Sequence, residues 1–103
     1  MGRILISRKV DRSVEDLVGR FDRYLSQARD AVAPFDEGAD YSWNTHRNLV
    51  TIRGDRFHAQ VVFLPTQVMV IADIPMLWYP FRKKIEEGIT HALDSIIANG
   101  KAT

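Results

Sequence analysis

Residues 57–81 read FHAQVVFLPTQVMVIADIPMLWYPF, the most apolar stretch of the chain, and their reading decides the fold. Phe57, Ala59, Val61 and Phe63 alternate with His58, Gln60 and Val62. That period of two is the mark of a strand with a defined inner face. Leu64-Pro65-Thr66-Gln67 supplies a tight turn. Gln67–Asp73 is then apolar on both faces, with Val68 and Val70 on one and Met69 and Ile71 on the other. Pro75–Trp78 is expected to turn, and Pro80 suits the first turn of a closing helix that runs to about Ala98. The closing helix carries Phe81, Ile85, Ile89, Ala92, Leu93, Ile96 and Ile97 at helical spacing, and Asn99-Gly100 is its expected stop.

Working back from this stretch, Leu49–Arg53 is a second clear strand. Gly54-Asp55 reads as a two-residue hairpin turn between Arg53 and Arg56. Tyr41–Asn44, with Trp43 inward, is a weaker strand signal and is not counted in the sheet. Pro34–Asp40 is a loop. Ser13 with Asp16 three residues on approximates a capping box. The helix behind it carries Val14, Leu17, Val18, Phe21, Tyr24, Leu25, Ala28 and Val32 as one apolar stripe, and Pro34 stops it near Ala31–Ala33. Arg3–Arg8 is a short strand with Ile4 and Ile6 on one face. The expected fold is therefore α+β in the order β-α-β-β-β-α, a single domain over residues 1–103. Its sheet is four-stranded and mainly antiparallel, with two helices packed on one face. The other face is left with His58, Gln60, Val62, Met69 and Ile71.

Composition removes several kinds of chemistry. The 103 residues are 46% apolar and 26% charged, with a net charge of +1. No overall field draws the chain to nucleic acid. Cysteine is absent, which excludes disulfides, thiolate metal sites and a cysteine nucleophile, and fits a reducing cytoplasm. The apolar core Ile4-Leu5-Ile6 is too short for a secretory leader. No uninterrupted apolar run reaches the roughly 20 residues of a membrane span. His46, His58 and His91 lie on three elements without metal-ligand spacing. Asp36, Glu37 and Asp40 lack the pattern of a calcium loop. With no nucleophile motif and no glycine-rich phosphate loop, no catalytic residue, metal site or cofactor is expected, and the chain reads as non-enzymatic.

The sharpest local feature is Pro75–Lys84, PMLWYPFRKK. Rings with a polar edge beside cations suit a boundary between apolar matter and water. Trp78, Tyr79, Arg82 and Lys83 are the expected contact residues for an apolar surface or a protein partner. The plainer alternative is that Trp78 and Phe81 close the end of the core. Met69 and Ile71 on the open sheet face are the expected patch for a homodimer or partner. Arg47, Arg53 and Arg56, with Arg8, Lys9 and Arg12 nearby, form a basic edge that would serve an RNA- or ribosome-binding module. The near-zero net charge and the scarcity of stacking rings weigh against that alternative. A third reading is a ligand pocket between sheet and helices near His58 and Tyr24.

A family pattern runs over Arg3–Asn99. A short basic strand is followed by the helix after Ser13, Trp43, a hairpin around Gly54–Ala59 and the apolar strand Val68–Ala72. Then come Leu77 and a helix of the form Phe81-x3-Ile85-Glu86, closing on Leu93. In this the chain resembles the polyhydroxyalkanoic acid system proteins, small bacterial proteins encoded near polyester-granule genes. It departs from members with a histidine where it has Val10 and a glycine where it has Ala59. The resemblance implies a cytoplasmic bacterial protein associated with polyhydroxyalkanoate granules or their metabolism, and carries no catalytic residues with it.

Overall fold

Buried and open positions alternate along His58–Leu64 and Gln67–Ile74, and these two strands are the middle of the sheet. The computed structural model describes residues 2–34 and 36–98. In chain order the elements are β1 (Gly2–Lys9), α1 (Val14–Val32), β2 (Asp40–Trp43), β3 (Leu49–Arg53), β4 (His58–Leu64), β5 (Gln67–Ile74), a 3-10 helix (Met76–Phe81) and α2 (Arg82–Ala98). The fold is α+β with two helices, and its antiparallel sheet has the order β1-β5-β4-β3-β2.

The sheet has five strands, where the sequence reading counts four. The added strand is β2, from the weak signal at Tyr41–Asn44. Its hairpin to β3 is closed by side chains rather than by glycine. The Asn44 side-chain oxygen accepts the N–H groups of Asn48 and Leu49 at 3.0 and 3.1 Å. Arg47 takes the left-handed conformation, φ 54°, that such a loop needs. A second correction concerns the turn at Gly54-Asp55. Arg53 pairs with His58, so Gly54–Phe57 form a four-residue connection closed by Gly54 N–H to Phe57 O at 3.0 Å. The Phe57 ring lies against Gly54, where a Cβ would stand 2.3 Å from it. Phe57 therefore leaves the strand. The Pro65-Thr66 turn is as expected, with Leu64 opposite Gln67.

Helix α1 begins at Ser13, whose hydroxyl accepts the Asp16 N–H at 3.1 Å. Its stripe buries Leu17, Val18 and Phe21 against the sheet. Pro80 lies inside the 3-10 helix, and α2 begins two residues beyond it, at Arg82. The stop expected at Asn99-Gly100 lies outside the described residues.

Both helices cover one face. Two rows of side chains run across that face through all five strands: Ile6–Val70–Val61–Val50–Trp43 and Ile4–Ala72–Ala59–Ile52–Tyr41. Most of these residues belong to the buried core. At one end the packing is dense. Phe63 meets Phe21 edge-on at 5.0 Å and Trp43 at 5.6 Å, and Leu17 and Val68 fill around them. The helices are joined there through Arg20. It donates from Nη1 to the Ile97 carbonyl at 2.9 Å and pairs with Asp16 at 3.0 Å. The Ile97 carbonyl is one of the last in α2, so a cation there also suits the helix dipole.

Candidate functional site: an apolar cavity and an exposed apolar segment

Away from the Arg20 joint the two helices part. A cavity of about 500 Å³ lies between them, over the sheet. Its floor is the direct cross-strand pair Ala59–Ala72, two small side chains side by side. Its walls include Phe21 and Tyr24 from α1 and Ile85 and Ile89 from α2. Trp78 lines one end, half-buried. Gly88, exposed on α2, and Tyr24, exposed on α1, mark its opening. A Cβ added at Gly88 would meet nothing within 4 Å. The lining includes Asp73, but that carboxylate turns to the outer face and accepts from Arg3 Nε at 2.9 Å. The side chains facing the cavity are therefore apolar apart from the Tyr24 hydroxyl and the Trp78 indole N–H.

The cavity arises from volumes. The inner face carries Val and Ile at most positions but Ala at 59 and 72, and glycine stands at 88 on α2. Sequence reasoning missed these three residues. The signal that could have found them is that each is the small exception in an apolar pattern of branched side chains, and a mid-helix glycine costs helix stability.

The expected contact residues fall into two sets. Trp78 packs against the core, as the plainer reading of that segment has it. Around it the 3-10 helix holds Met76, Leu77, Tyr79 and Phe81 in the open, with 73, 73, 51 and 61% of their surface exposed. Phe81 therefore does not close the core. The Arg82 guanidinium sits 5.8 Å from the Tyr79 ring centre, and Lys83 and Lys84 follow it, exposed. Tyr79, Arg82 and Lys83 thus stand together on one exposed segment. Met69 and Ile71 lie on the outer sheet face, half-buried, in rows with Val62 and with Leu5. They are separate from the 3-10 helix.

The other expected groupings are not assembled. Strand alternation places His58 on the outer face, 3.9 Å from Asp73, so it does not line the cavity; Tyr24 does. Arg47 lies before β3, with its guanidinium 5.1 Å from the Trp43 ring centre, while Arg53 ends that strand and Arg56 sits in the following turn. Because β2 covers the flank of β3, these three do not form an edge. Arg8 is tied to Asp94 at 2.9 Å. Arg29 and Asp40 form an exposed pair at 3.1 Å. Asp40 is held below its ordinary pKa by the Tyr41 N–H and then by Arg29, and Arg29 is raised by its bond to Asp40. Among the described residues no group of three or more His, Cys, Asp or Glu could hold a metal ion, and no helix is long and apolar enough to cross a membrane.

Fold and site define a two-layer α+β protein with an apolar cavity under its helices and an apolar segment open to water. The family model described as "Putative polyhydroxyalkanoic acid system protein" matches residues 4–97, and the chain belongs to that family. No curated protein matches it. Among solved structures the chain is similar to the crystal structure of TTHA0849 from Thermus thermophilus, at 14% identity and a TM-score of 0.47, over 96% of this chain and 94% of that one.

Proposed function

We propose that this protein is a non-enzymatic accessory of the polyhydroxyalkanoate system that docks on the apolar surface of the polyester granule through its 3-10 segment. The observation that carries the reading is the exposure of Met76, Leu77, Tyr79 and Phe81 within six residues. Isolated exposed apolar residues are ordinary, but a contiguous group rimmed by polar side chains marks a contact surface. Arg82, Lys83 and Lys84 rim it. Their long stems let the charged ends stay in water while the rings and Leu77 meet the polymer. Within the same reading the outer-face patch at Leu5, Met69 and Ile71 serves contact with a second copy or a protein partner.

The test is co-sedimentation of the purified protein with isolated granules at low and high salt, against a total-RNA control. Salt-resistant pelleting is expected, and Leu77→Ser with Phe81→Ser should lower it at least tenfold while leaving the melting temperature within a few degrees. Pelleting unchanged in the double variant would refute the segment's role. Absence of granule binding together with salt-sensitive RNA binding would replace the reading with the nucleic-acid alternative.

A further inference from the structure

We infer that the cavity between α1 and α2 is a binding site for a single hydrocarbon-chain carboxylate, a fatty-acid-like ligand whose tail lies over Ala59–Ala72 and whose head group stays at the opening. Three observations converge on this class.

The first is chemistry. Only the Tyr24 hydroxyl, at the opening, and the Trp78 indole N–H break an otherwise apolar set of side chains. A sugar, nucleotide or peptide placed inside would lose its hydrogen bonds to water and find none in return, which is costly. A methylene chain loses nothing.

The second is size. At roughly 30 Å³ for each water-sized group, about 500 Å³ of space takes on the order of sixteen such groups. The cavity also falls within the ordinary range of about 300–1,000 Å³ for small-molecule sites. It is open to solvent along the gap between the helices, a groove rather than a void within the filled core.

The third is charge at the opening. Helix α2 starts with Arg82, Lys83 and Lys84 and has no acidic residue in its first turn, the reverse of what its dipole favours. Lys84 stands one turn before Gly88, the residue that opens the cavity. A carboxylate held at the opening would have the Lys84 ammonium within reach, one turn from Gly88 on the same side of α2. Glycine at 88 keeps the entrance clear.

The experiment uses the full chain in solution with no granules present, so its outcome is independent of granule docking. Dodecanoate is titrated into the wild-type protein below its micelle concentration, followed by calorimetry and by tryptophan emission, in which Trp78 lines the cavity and Trp43 does not. The expected result is one-to-one binding with a blue shift of that emission. Gly88→Leu places a side chain into the entrance at a position where leucine favours the helix more than glycine does. It should fold with an unchanged or higher melting temperature and lose at least tenfold in affinity. Lys84→Glu should weaken dodecanoate at least fivefold and dodecanol less than twofold. Failure of the wild-type protein to bind dodecanoate, or equal affinity in Gly88→Leu, would overturn the site. Equal weakening of dodecanoate and dodecanol by Lys84→Glu would overturn the placement of the head group.

Discussion

Trp43→Phe tests what holds the fifth strand in place. β2 is short, lies at an edge and is paired only with β3. Beside the exposed Arg29–Asp40 pair and the long bond from the Tyr41 hydroxyl to Asp22 O, it is tied to α1 by the Trp43 indole, which donates from Nε1 to the Asp22 carboxylate at 2.8 Å and lies against Phe63. A partly buried bond to a charged acceptor contributes about 2 kcal/mol net. The smaller ring also loses contact with Phe63 and part of the Arg47 cation–π attraction, together about 0.5 kcal/mol. The variant is therefore expected to be less stable by about 2–3 kcal/mol, a large share of the 5–15 kcal/mol typical of a domain. For a chain of this size that lowers the melting temperature by roughly 10–20 °C. Urea unfolding followed by far-ultraviolet circular dichroism is the appropriate assay, because the substitution removes one of the two tryptophans. A cycle with Asp22→Ala isolates the bond and should give a coupling of about 1–2 kcal/mol. Amide exchange at Tyr41 and Ser42 should quicken in step. A coupling below about 0.3 kcal/mol with a full loss of stability would mean that ring packing alone holds β2, and the reasoning from the indole N–H would be wrong.

Arg20→Met removes the bond to Ile97 O and the half-exposed pair with Asp16, but also removes Arg20 Nε, a buried donor with no partner. The loss of about 2 kcal/mol and the relief of about 1 leave a net cost near 1 kcal/mol, readable as a urea midpoint shift. Ser13→Ala should cost about 1 kcal/mol through the lost N-cap, with fraying confined to the first turn of α1 in amide exchange. Phe63→Ala, at the centre of the dense end of the core, should cost about 3–5 kcal/mol and leave a largely unfolded protein at room temperature if the starting stability is near the low end of the usual range. Asp40 has a folded pKa below its ordinary value of 3.8, so its contribution to stability is present above that value and is lost as pH falls through the folded one. A carboxyl NMR titration should place its midpoint below 3.8, and Arg29→Ala should recover part of the shift while the Tyr41 N–H keeps the midpoint below 3.8.

Most of the architecture is written in periodicity. The alternation through β4 and β5, the stripe of α1 and its serine cap all stand where the pattern puts them, because burial of one face enforces the pattern. β2 is harder to see. Its four residues carry a single alternation, and its hairpin is made by an asparagine side chain and a non-glycine residue in the left-handed region. The exposed 3-10 segment is legible as a cluster of rings and cations, but the division between Trp78 inward and Tyr79 outward depends on the phase of a short 3-10 turn. A pocket between sheet and helices beside Tyr24 is among the sequence readings, but the size and lining of the cavity are not legible. The cavity is a difference between volumes contributed by three elements distant in sequence, and each small residue taken alone reads as an ordinary core or helix position.

The partner of β1 is the last strand of the sheet, and the ion pair Arg3–Asp73 joins residues 70 positions apart. A chain emerging from the ribosome therefore displays β1, with Ile4 and Ile6 unshielded, until the final hairpin has been synthesised. The β2–β5 meander can zip from neighbour to neighbour, whereas β1 must wait for a long loop to close, an entropic cost that slows folding. During that interval β1 can dock as readily on the β5 of another copy as on its own. Strand exchange between nascent chains is thus the misassembly to which this topology is most exposed.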